Sequence, residues 1–175
     1  MSNILIAVSS SVAIYKTCDL IRMFKKSEHD VKVIMTENST KLISPILFET
    51  LTENRVHRSV FDEMSNMAHI SLKDFADAYL ICPATANIIA KCANGIADDI
   101  VSTTFLSVKC PVVIAPAMNP AMWQNDATQE NIEKLKNRGC RIIMPEKGKV
   151  VCGDEGVGKL PDLKVIYDET ISVTK

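Results

Sequence analysis

Short, nearly uninterrupted apolar runs alternate along this chain with longer segments in which apolar residues recur every three or four positions. The runs Ile4–Val8, Val31–Met35, Ala78–Cys82 and Pro111–Ala115 have the length of strands buried on both faces, as in a parallel sheet covered by helices; Arg141–Met144 is a shorter fifth. Between them, Val12–Lys26 places Ile14, Cys18, Ile21 and Met23 or Phe24 at helical spacing. Residues 37–52 predict one or two short helices broken at Pro45. Thr85–Asn94 and Asp98–Ser107 predict helices separated by Gly95, and Ala127–Arg138 one stopped by Gly139. Strand and helix in alternation predict βαβ units, hence an α/β fold with a Rossmann-like, doubly wound parallel sheet in three α/β/α layers.

Residues 146–161 break the pattern. Glycines at 148, 153, 156 and 158, flanked by Pro145 and Pro161, predict a flexible segment that packs no core and is long enough to serve as a lid. With no linker elsewhere, residues 1–175 are expected to form one domain, long enough to bury roughly two thirds of the unfolded surface.

Charge narrows the function classes. Twenty basic and 21 acidic residues give a net charge of −1, with no block of one sign, which argues against nucleic acid or an anionic membrane as partner and for a small molecule. The six cysteines include no CxxC pair, and four of them sit in apolar or helical patterns, so neither a metal site nor a redox pair is expected. The amino terminus lacks the basic and long apolar regions of a signal peptide, and no apolar run approaches the ~20 residues of a membrane span. A cytoplasmic protein is the expectation.

The candidate chemistry lies at strand ends. Ser9-Ser10-Ser11 joins the first strand to a helix, where hydroxyls and free N–H groups can hold an anion or merely cap the helix. Thr36 and Thr85 end the second and third strands on the same carboxyl edge, where ligands bind in open α/β sheets. Asn119 stands between two prolines in Pro116-Ala117-Met118-Asn119-Pro120-Ala121-Met122-Trp123, either as a fixed carboxamide for a ligand or as an ordinary Asx-turn. His69 can exchange a proton near neutral pH. His29 and His57, in polar turns, are expected to be solvated. Cys152 stands on the glycine-rich segment beside Asp154, and its thiol, ordinarily titrating near ~8.5, suits a proton donor. A dinucleotide GxGxxG and a Walker motif are both absent from the sequence.

Four ordered segments carry a resemblance. Pro83-Ala84-Thr85-Ala86-Asn87 resembles the Pro-Ala-Ser-Ala-Asn signature of the flavin-dependent cysteine decarboxylases, and the Asn119 segment resembles their Pro-x-Met-Asn-x-x-Met motif. Ala68-His69-Ile70 and Cys152-Gly153-Asp154-Glu155-Gly156-Val157-Gly158-Lys159 match two more of their motifs. Within the family, the chain is most similar to members that decarboxylate phosphopantothenoylcysteine to 4′-phosphopantetheine in coenzyme A synthesis.

The resemblance implies a flavoprotein fold that binds FMN through Ser9, Ser10, Ser11, Thr36, Pro83, Thr85, Asn87 and Ser102. The first of these turns usually carries glycines in the family, so individual phosphate contacts differ here. It also implies that His69 is the catalytic base, that Asn119 anchors the substrate carboxylate, that Met122 of the same motif contacts the substrate, and that Cys152 protonates the enethiol after carbon dioxide leaves. Lys159 is expected either to meet substrate or to remain solvated. Homotrimers, or dodecamers of trimers, and a separate phosphopantothenate–cysteine ligase are the implied partners. The rivals are a peptidyl-cysteine decarboxylase that stops at the oxidised enethiol, opposed by Cys152; a flavin prenyltransferase, opposed by His69 and the Asn119 motif; and a non-catalytic flavin-binding subunit.

Overall fold

All of the apolar runs become strands. A computed structural model describes residues 1–61, 68–149 and 153–174. In it, β1 (Asn3–Val8), β2 (Asp30–Met35), β3 (Ala78–Ala84), β4 (Val112–Pro116) and β5 (Arg141–Ile142) form one five-stranded sheet in the order β2-β1-β3-β4-β5. Every pairing is parallel, with Ile6 opposite Val33 on one side and Leu80 on the other. Strand β5 is shorter than its apolar run suggests, pairing only at Arg141 and Ile142.

The helices follow in chain order as α1 (Lys16–Lys26), α2 (Pro45–Thr52), α3 (Ala68–Phe75), α4 (Ala86–Asn94), α5 (Ile100–Ser107), α6 (Pro120–Gln124), α7 (Asp126–Asn137) and α8 (Leu163–Ser172). Alternate residues of the strands face opposite cores. Ile4, Ile6, Val33 and Leu80 pack with Leu20 and Phe24 of α1, Phe48 of α2 and Ile166 of α8. Leu5, Ala7, Tyr79 and Ile114 pack instead with Leu72 of α3, Ile88 of α4, Val101 of α5 and Leu135 of α7. The sheet is therefore the middle of three layers, doubly wound as the pattern predicts. Among the described residues, no helix is long and apolar enough to cross a membrane.

Three expectations change. His57, read as solvated, is only 5% exposed: its backbone bridges to Ile34, accepting from Met35 N–H at 2.9 Å and donating to Val33 O at 3.3 Å, which extends the β2 edge. His29 is half-buried, packs edge-on against Phe24 and accepts a hydrogen bond from Ser2 N–H at 3.2 Å.

The third change concerns the glycine-rich segment, which folds as an antiparallel hairpin of β6 (Glu146–Lys149) and β7 (Glu155–Lys159). It does contribute to the cores: Leu160, just after it, is buried against one and Val157 packs on the other. Its glycines allow close approach. A Cβ at Gly158 would lie 2.4 Å from Met118 O, and one at Gly156 would lie 2.7 Å from Pro120 Cβ. Gly158 O also accepts from Met118 N–H at 2.9 Å, so β7 is laid directly on the turn that carries Asn119.

Candidate active site

β1 and β3 lie side by side at the centre of the sheet, yet the chain leaves β1 toward α1 on one face and β3 toward α4 on the other. Their carboxyl ends therefore part around a crevice, the place where open α/β sheets bind ligands. Ser9 stitches the crevice floor: its buried hydroxyl donates to Pro83 O at 2.7 Å and accepts from Thr85 N–H at 3.0 Å. Ser10 is exposed, and Ser11 caps the 3-10 turn Val12–Tyr15 that precedes α1, accepting from Ala13 N–H at 3.4 Å.

Thr85 caps α4, accepting from Ile88 N–H at 3.4 Å, and leaves Asn87 exposed in the first turn. Thr36 ends β2 beside β1, its N–H donating to Val8 O at 3.1 Å. The Thr36 hydroxyl oxygen is buried and, among the described residues, has no hydrogen-bond partner. Because a buried hydroxyl without a partner costs free energy, this one fits a polar ligand laid along the strand ends. Ser102 behaves differently: its hydroxyl is fully committed to the Asp99 capping box at the start of α5.

Past β4, Pro116 ends the strand and Pro120 opens α6, so Asn119 is held at a helix N-cap. Its Oδ1 accepts from Ala121 N–H at 2.8 Å, which turns Nδ2 outward to donate to the Asp154 carboxylate at 2.5 Å. Buried Trp123 pins α6 to the core, while Met122 is half-exposed. Asn119 borders a cleft of about 300 Å³ whose lining also includes Ser11, Tyr15, Lys16, Lys149 and Lys159. Lys159 pairs with Glu146 at 3.3 Å.

The structure thus brings Ser11, Asn119 and Lys159 to one cleft, with Ser9, Ser10, Thr36, Pro83, Thr85 and Asn87 along the adjoining strand ends. His69 sits in the first turn of α3. Cys152 lies outside the described residues. Burial pushes the Cys82 thiol up to about 12 and Cys110 up to about 11, and raises Cys18, Cys92 and Cys140 too, so these five are poor proton donors or nucleophiles at neutral pH. Sequence reasoning missed Asp154, Lys16 and Lys149 as members of the site. Asp154 alone carried a signal, as part of the Cys152 motif.

The model of the flavoprotein family matches residues 1–175. The chain belongs to that family. A flavin is accordingly the class of cofactor. Among solved structures, the FMN-dependent cysteine decarboxylase SpaF superposes with a TM-score of 0.87 at 31% identity, covering 100% of this chain and 98% of that one. A PPC decarboxylase mutant complexed with pantothenoylaminoethenethiol superposes at 0.85 and 26% identity, covering 98% and 97%. The flavoprotein chain is also 42% identical over 162 residues to the coenzyme A biosynthesis bifunctional protein CoaBC of Bacillus subtilis, covering 91% of this chain and 40% of that protein. CoaBC of Haemophilus influenzae is 35% identical over 167 residues, at 94% and 42% coverage. The chain spans about two fifths of the length of these curated relatives.

Proposed function

We propose that this flavoprotein decarboxylates phosphopantothenoylcysteine to 4′-phosphopantetheine with bound FMN. The observation that carries the reading is the Asn119 carboxamide. Its acceptor is tied down by Ala121 N–H, and its donor already holds a carboxylate, that of Asp154, at the mouth of the cleft. A substrate carboxylate arriving there meets a preset N–H donor and displaces a side chain of like charge.

For the cofactor, the free hydroxyl of Thr36, the exposed Ser10, the cap residue Ser11 and the α4 start at Thr85 and Asn87 would hold FMN. Ser9 and Pro83 shape that crevice through their shared hydrogen bond, and Ser102 holds the start of α5. When bound, the flavin supplies the oxidation that makes the cysteine moiety a good electron sink and returns the same electrons after carbon dioxide has left.

The protein's part is proton handling and orientation. His69 takes the proton released on oxidation, Asn119 orients the carboxylate so that its carbon–carbon bond breaks toward the sink, and Met122 contacts the substrate beside it. Cys152 then protonates the enethiol carbon. The β6–β7 hairpin excludes water as a lid, and assembly as a homotrimer belongs to the same proposal.

Purified protein mixed with FMN and desalted is expected to stay yellow and to release carbon dioxide from phosphopantothenoylcysteine. Protein that comes through colourless, or that holds flavin and releases no carbon dioxide, contradicts the reading.

A further inference from the structure

The cleft beside Asn119 is rich in cations that the reaction does not use. Lys16 opens α1, Lys149 ends β6 and Lys159 ends β7, and all three line the same cavity. The described lining includes no carboxylate, although three stand nearby, equal in number to the lysines. Glu146 pairs with Lys159 at 3.3 Å, Asp154 is hydrogen-bonded to Asn119, and Glu155 stands opposite Lys149 in the hairpin register. Among the described residues, Lys16 and Lys149 form no ion pair. The rest of the lining is largely apolar and includes Tyr15, Met118 and Leu160.

We propose that Lys16, Lys149 and Lys159 form a phosphomonoester subsite that reads the phosphate of the substrate, and so select a phosphorylated small molecule over a peptide. The inference rests on the decarboxylase reading above for the identity of the substrate. A phosphomonoester is close to a dianion at neutral pH, with three acceptor oxygens that three ammonium groups can share. The carboxylate is left to the neutral Asn119, which can hold one charge without competing for the dianion. The apolar walls suit the aliphatic arm that joins the two ends. A peptide ending in cysteine offers the same carboxylate and no second anion, so it gains nothing from the lysines.

Substrate phosphate and flavin phosphate share this chemistry. The cleft favours the first source, because of the residues assigned to the flavin its lining includes only Ser11 and omits Ser9, Ser10, Thr36, Thr85 and Asn87.

The test is calorimetric binding of 4′-phosphopantetheine and pantetheine to the FMN-loaded protein, to Lys16→Gln and to Lys149→Gln, with flavin content read by absorbance. The unaltered protein is expected to bind the phosphorylated compound more tightly, and each substitution to cut that preference by about tenfold, the equivalent of one charge-assisted hydrogen bond. Raising the salt should also shrink it. A preference that survives both substitutions overturns the proposal. So does loss of FMN from the variants with the preference intact, which would give the lysines to the flavin phosphate. If the protein shows a lysine-dependent phosphate preference but releases no carbon dioxide, the subsite stands and the decarboxylase reading falls.

Discussion

Replacing Asn119 with Asp is expected to lower carbon dioxide release from phosphopantothenoylcysteine by roughly 10²–10³-fold, the usual effect of removing one preset hydrogen-bond donor from a reacting group. Two effects act together. The Nδ2 donor is lost, and a negative charge replaces it where a substrate carboxylate must sit. In the resting protein the same change sets two carboxylates against each other, because Asn119 Nδ2 donates to Asp154. Asp154→Asn added to Asn119→Asp separates the two. The swapped pair restores a donor–acceptor contact between α6 and the hairpin, so the local fold should recover while decarboxylation stays low. Near-normal carbon dioxide release from the single variant, or recovery in the double one, would remove Asn119 from the role of carboxylate anchor.

Gly158→Ala is expected to lower stability by about 2–3 kcal/mol, in the upper range for overpacking, because the new Cβ would fall 2.4 Å from Met118 O, a backbone atom that no side-chain rotation can clear. To relieve the clash, β7 must lift from the Asn119 turn, breaking the bond from Met118 N–H to Gly158 O. Activity should fall with it. Gly148→Ala, on the same hairpin, is the control: its Cβ would meet only the flexible Lys159 side chain, at 3.2 Å. Denaturant unfolding of both variants checks this, and equal midpoints would mean that the close approach at Gly158 does not constrain the hairpin.

These contacts also mark the limit of what the sequence discloses. Strands buried on both faces announce themselves: Leu5 and Ile6 enter different cores, so no polar residue interrupts the run. The hairpin strands Glu146–Lys149 and Glu155–Lys159 carry glycine and lysine instead, with neither alternation nor β-branched enrichment. What makes them strands is their pairing with each other and the docking of Glu155–Lys159 on Pro120 and Met118, tertiary facts that local pattern cannot contain. His57 differs from expectation for a related reason, since a polar turn in sequence forms an extra pairing on the β2 edge.

Helix α8 differs, because its signal stood in the sequence. Leu163, Ile166, Tyr167, Thr170 and Ile171 recur at helical spacing after an Asp162 N-cap, yet no element was expected there. In the site, the strand-end positions of Thr36, Thr85 and Asn119 followed from the pattern alone. The gathering of Lys16 and Lys149 at one cleft did not, because they stand 133 residues apart in the sequence and line it together only in the folded chain.

The most direct test of the central claim is the mass of the product formed from phosphopantothenoylcysteine in a single anaerobic turnover. The unaltered protein is expected to yield 4′-phosphopantetheine. Cys152→Ser is expected to yield a product lighter by two hydrogens with the flavin left reduced, since a serine hydroxyl is too weak an acid to complete the last step. An unaltered protein that itself stops at the lighter product, or that returns the substrate unchanged, would contradict the account.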